Sequence, residues 1–152
     1  MTKFFYALVF FTLFSVGAEA QNFLDLAGYS FSSKESYVKA EPQVLEAATY
    51  LYTTPIASDN LNRLIASQFI LKWMEGTEYT FNVDSKMTDL TEGSTDLFGM
   101  YLAGMAKVVL ENKETPLADA VIHEQVKQML VDYCKDPAHH AKPNKKLKKL
   151  MK

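Results

Sequence analysis

From Val44 to Tyr133 apolar residues return at three- and four-residue steps, in stretches broken at Thr54-Pro55, Gly76 and Thr115-Pro116. That recurrence marks one face of an α-helix and leaves little room for a sheet. It predicts an all-α chain: a small bundle of about four main helices arranged as two helical hairpins. An irregular N-terminal arm over 21–40 precedes the helical domain over 41–136, and a basic C-terminal tail over 137–152 follows it.

The first predicted helix opens at Glu41 with Pro42 in its first turn and presents Val44, Leu45, Ala48, Leu51 and Tyr52. The second takes Ser58 or Asp59 as cap, buries Leu61, Leu64, Ile65, Phe69 and Trp73, with Ile70, Leu71 and Met74 widening that face, and ends on Gly76 as a left-handed cap. Tyr79, Phe81 and Val83 then alternate with polar residues at the period of a strand. A single strand has no partner in a helical chain, so this segment is predicted to be extended and pinned by its aromatics.

The third helix, from Thr95 or Asp96 to Leu110, is apolar nearly all round and thinned by Gly99, Ala103, Gly104 and Ala106. A helix without a polar face is predicted to lie at the centre of its domain. Thr115 as cap and Pro116 in the first turn open the fourth, whose stripe is Ala118, Ile122, Val126, Met129, Leu130 and Tyr133. The Thr-Pro linkers before the second and fourth helices echo one another, which fits two hairpins and equally a common way to start a helix.

The first twenty residues constrain location. Lys3 is followed by thirteen uncharged residues, Phe4 to Val16, and then by Gly17-Ala18-Glu19-Ala20. This reads as a secretory signal peptide over 1–20, cut between Ala20 and Gln21. As a helix the apolar run reaches roughly 20 Å, short of the ~30 Å hydrocarbon core of a bilayer. The only cysteine, Cys134, permits no internal disulfide and stands far from the position a lipid anchor needs. The mature chain holds no Asn-x-Ser/Thr sequon. Together these features predict an exported protein, periplasmic or secreted, of bacterial rather than eukaryotic origin.

The net charge of −2 conceals an asymmetry. Residues 21–136 hold nine Lys and Arg against seventeen Asp and Glu, whereas 137–152 hold six lysines and no acid. Those lysines, Lys142, Lys145, Lys146, Lys148, Lys149 and Lys152, are interleaved with Leu147, Leu150 and Met151. A short basic amphipathic segment of this kind suits contact with an anionic surface, or with another envelope protein. The alternative is a solubilising end that touches its own acidic body.

Motifs for chemistry are lacking. His123-Glu124 starts like a zinc-protease motif, but Lys127 stands where the second histidine belongs. Cys134, His139 and His140 lack a fourth ligand. No nucleophile elbow or phosphate-cradling glycine loop occurs. No catalytic, cofactor-binding or metal residue is therefore assigned, and nothing marks specific nucleic-acid recognition.

The leading expectation is a non-enzymatic binding module, with Tyr50, Tyr52, Trp73, Tyr79 and Tyr101 as candidate groove residues between the hairpins. Aromatics at helical spacing equally fit a core. Two alternatives stay open. One is a small metal-dependent or hydrolytic enzyme using His123 or the Cys134, His139 and His140 group with acids from 77–94. The other is a homo-oligomeric structural protein with the third helix as seam.

The segment Phe69-Ile70-Leu71-Lys72-Trp73-Met74-Glu75-Gly76-Thr77, the Thr54-Pro55 linker and the Tyr101-Leu102-Ala103-Gly104-Met105 stretch resemble small exported helical proteins of Bacteroidetes. The resemblance spans roughly 41–134. It implies a bacterial source and an all-helical fold, and brings no function and no active residues.

Overall fold

The computed structural model describes residues 22–57 and 60–152. The predicted signal peptide over 1–20 and the predicted Ser58 or Asp59 cap lie outside the described residues. Within them the chain is all-helical: α1 (Lys34–Thr53), α2 (Asn60–Gly76), α3 (Ser85–Thr91), α4 (Thr95–Glu111), α5 (Asp119–Lys135) and α6 (Lys145–Leu150), with 3-10 turns at Leu24–Gly28 and Pro137–His139.

The first helix starts earlier than Glu41. Ser33 and Ser36 form a capping box, each side chain bonded to the other's backbone N–H, and this starts α1 inside the predicted arm. Pro42 consequently falls within the helix. It is tolerated because Pro42, and Val38 whose carbonyl loses its helical donor, are both exposed residues. The rest of the arm is packed rather than loose: Phe23 is buried edge-on against Tyr50, and Tyr29 and Phe31 both contact Phe69.

Helix α2 buries Ile65, Ala66, Phe69, Ile70 and Trp73, while Leu61, Leu64 and Leu71 are exposed. The predicted stripe is thus rotated, because buried Arg63 occupies the first turn of the inward face. Its Nη1 donates to the carbonyls of Leu51 and Thr54 at 3.2 and 3.1 Å and to Thr54 Oγ1 at 2.9 Å, closing the C-terminal end of α1. Gly76 is not a left-handed cap; Gly93 is the described glycine with positive φ. A Cβ on Gly76 would stand 2.1 Å from the Tyr37 hydroxyl, so close packing is what requires glycine there.

The 77–84 segment forms neither helix nor strand: it bends at 77–79 directly after α2, and Tyr79 and Phe81 pack against Trp73. Asp84 then caps α3, a short helix that no sustained period announces; its Oδ1 accepts the backbone N–H of Lys86 at 2.9 Å and of Met87 at 3.4 Å.

Helix α4 is the centre. Ala103, Ala106 and Leu110 face a cluster built on α1, α2 and the arm, whereas Leu97, Met100, Tyr101, Met105 and Val108 face one built on α3, α5 and α6. Tyr52, Met74 and Phe81 touch both clusters.

Thr115 and Pro116 do not start the next helix. Helix α5 begins at Asp119 behind Ala118, which offers no side-chain cap, and the irregular 116–118 stretch ahead of it packs Leu117 against the second cluster. The Thr-Pro echo therefore does not mark two equivalent helix starts. Thr54 terminates α1, its carbonyl also accepting the Tyr133 hydroxyl at 2.7 Å.

Candidate functional site

The lysine-rich end is docked. Asn144 caps α6 through its Oδ1, accepting Leu147 N–H at 2.9 Å, while its Nδ2 donates to the carbonyls of Asp89 and Glu92 in and after α3. Leu147 is fully buried, and Lys146 pairs with Asp89 at 2.6 Å. Lys142, Lys145, Lys148, Lys149 and Lys152 are exposed and make no ion pair among the described residues. Leu150 is exposed beside them. The amphipathic face read from the sequence is thereby divided: Leu147 belongs to the protein's own core and Leu150 to the surface.

The aromatics named from the sequence are distributed between the two cores. Trp73 is fully buried, its Nε1–H donating to the Tyr37 carbonyl at 3.1 Å. Tyr50 is buried against Phe23. Tyr52 donates its hydroxyl to the Met100 carbonyl at 2.8 Å, and burial raises its pKa well above the ordinary tyrosine value. Tyr79 is half-buried with its hydroxyl bonded to Glu41.

Tyr101 differs from these. Its ring is buried, but its hydroxyl reaches a surface pocket of about 210 Å³ between the 80–86 segment, α4 and α5. There it hydrogen-bonds His123 Nδ1. Burial, with Asp84 and Glu124 nearby, pushes the Tyr101 hydroxyl up to about 12. Burial also lowers the His123 pKa, only partly offset by Glu124. A hydroxyl that stays protonated donates to Nδ1, and a neutral imidazole then carries its proton on Nε2.

Phe81, Met105 and Ile122 make the apolar part of this pocket; Asn82, Asp84, Lys86 and Asp119 supply most of the polar part. Asn82 Nδ2 donates to Asp119 Oδ2 at 3.3 Å. Of the residues expected for an enzyme, His123 and one acid of 77–94, Asp84, line this pocket together, beside Asp119 and Lys86.

The second such group does not converge. Cys134 is buried, which pushes its thiol up to about 11. His139 stacks on Tyr133 at 4.0 Å, its Nδ1 2.9 Å from the Tyr133 carbonyl. Among the described residues no three His, Cys, Asp or Glu side chains are grouped to hold a metal ion, and no helix is long and apolar enough to cross a membrane. Compared with known protein families, characterised proteins and solved structures, the chain matches none.

Proposed function

We propose that the mature chain is an exported, non-enzymatic binding module, α1–α2 and α4–α5 serving as its two hairpins, that attaches to anionic surfaces through its C-terminal lysines. The observation that supports this reading is the docking of α6. With Leu147 buried and Asn144 tied to α3, the helix holds Lys145, Lys148 and Lys149 on a fixed outer face next to exposed Leu150. Each lysine near an anionic bilayer contributes about 1 kcal/mol, so several acting together give measurable binding even from an acidic body.

The test is co-sedimentation with phosphatidylglycerol-containing vesicles and with pure phosphatidylcholine vesicles. Binding to the first alone, weakened by salt and lost in Lys145→Gln/Lys148→Gln/Lys149→Gln/Lys152→Gln, is the expected result. Lys72→Gln, an exposed lysine elsewhere, is the control. Unchanged binding by the fourfold variant overturns the reading. Export is tested separately by the mass of the protein recovered outside the cytoplasm, which should begin at Gln21.

A further inference from the structure

The pocket beside Tyr101 is independent of the lysine surface, and its charges are arranged rather than merely collected. Asp84 and Lys86 lie on the segment that enters α3; Asp119 and His123 lie one helical turn apart on α5. Each wall thus carries one anion and one donor. Asp84 is partly committed, because its Oδ1 already accepts two backbone N–H groups. Asp119 is held through Oδ2 by Asn82, and its Oδ1 has no partner among the described residues. Lys86 makes no ion pair among them.

A purely anionic ligand would meet two carboxylates here, and a purely cationic one would meet Lys86. A neutral apolar molecule would desolvate Asp119 and Lys86 without replacing their water. A molecule carrying both charges satisfies both.

We propose that this pocket binds a small zwitterion of amino-acid size with an apolar side chain. Its ammonium faces Asp119, and its carboxylate is taken by Lys86 and the Nε2–H of His123. The side chain lies on Phe81, Met105 and Ile122. The role of Tyr101 is positional: its hydroxyl occupies Nδ1 and so fixes which imidazole nitrogen presents a proton.

The probes are L-leucine, isoamylamine, which is leucine without its carboxylate, and 4-methylpentanoate, which is leucine without its ammonium. Each is titrated into the full-length mature protein, with the backbone amide signals of Phe81, Ala120 and His123 as readout. Leucine is expected to shift these signals at millimolar concentration, with each half-ligand weaker by about tenfold or more, the loss of one charged hydrogen bond.

Variants should map the two ends. Asp119→Asn weakens leucine and isoamylamine and leaves 4-methylpentanoate unharmed. Lys86→Gln and Tyr101→Phe weaken leucine and 4-methylpentanoate and leave isoamylamine unharmed. Asp119 and Lys86 are exposed, so these substitutions leave the fold intact even where Tyr101→Phe disturbs it. The proposal is overturned if leucine leaves the three amides unmoved, or if either half-ligand binds as tightly as leucine. No vesicle is present, so these outcomes are separate from the fate of the lysine surface.

Discussion

Gly99 and Gly104 both lie inside α4, and a methyl group added to each meets opposite surroundings. At Gly104 a Cβ would stand 2.6 Å from the Tyr52 hydroxyl and 2.9 Å from Val126 Cγ1, and Tyr52 is itself fixed by its bond to the Met100 carbonyl. At Gly99 nothing lies within 4 Å. Replacing glycine by alanine in a helix gains about 0.5–1 kcal/mol, whereas overpacking a core costs about 1–3 kcal/mol. Gly99→Ala should therefore raise the urea midpoint and Gly104→Ala should lower it; equal shifts would show that α1 and α5 do not meet α4 this closely. Cys134 allows a second test at this scale. Its thiol is buried with a raised pKa, so maleimide should label it at neutral pH only after unfolding. Rapid labelling of the folded protein would place it at the surface instead.

Among the elements, α6 owes its order to distant partners. A six-residue helix is not stable alone, and this one is held by Leu147, Asn144 and the Lys146–Asp89 pair. Leu147→Ala should therefore release α6 locally: amide protection over 145–150 falls while protection in α4 and α5 is kept. Loss of protection throughout would mean that α6 is part of the cooperative core. The same dependence explains what the sequence could and could not disclose. Helices α2, α4 and α5 were legible because large apolar residues repeat along them. The start of α1 was obscured because its inward face begins with Ala40 and continues through Ala47 and Ala48, while Pro42 imitates a first turn. Helix α3 offers only Met87, Leu90 and Thr91 to the core, too few for a period. The Tyr101–His123 bond joins residues of different helices and exists only once α4 packs on α5. His123 and the 77–94 acids were visible as residue types, but Lys86 and Asp119 carried no signal in their spacing.

For the molecule as a whole, the pocket and the stability curve are linked through His123. Its folded-state pKa is lowered from 6.5, first by burial and also by Lys86 and Lys127, against the opposing pull of Glu124 and Asp84. The folded protein therefore favours the neutral ring more than the unfolded chain does. That contribution is complete above the unfolded value near 6.5 and is lost as pH falls through the lower folded value. Glu124, lowered by Lys127, and Glu78, lowered by Lys34, act in the same direction at more acid pH, where protonation removes their pairing. Both are exposed pairs, and salt should shrink their part. Urea midpoints followed downward from pH 8 should first decline on the histidine limb and then on the carboxylate limb. His123→Gln, neutral throughout, should flatten the first limb and leave the second. Parallel curves for the two proteins would show that His123 is as easily protonated in the fold as in water.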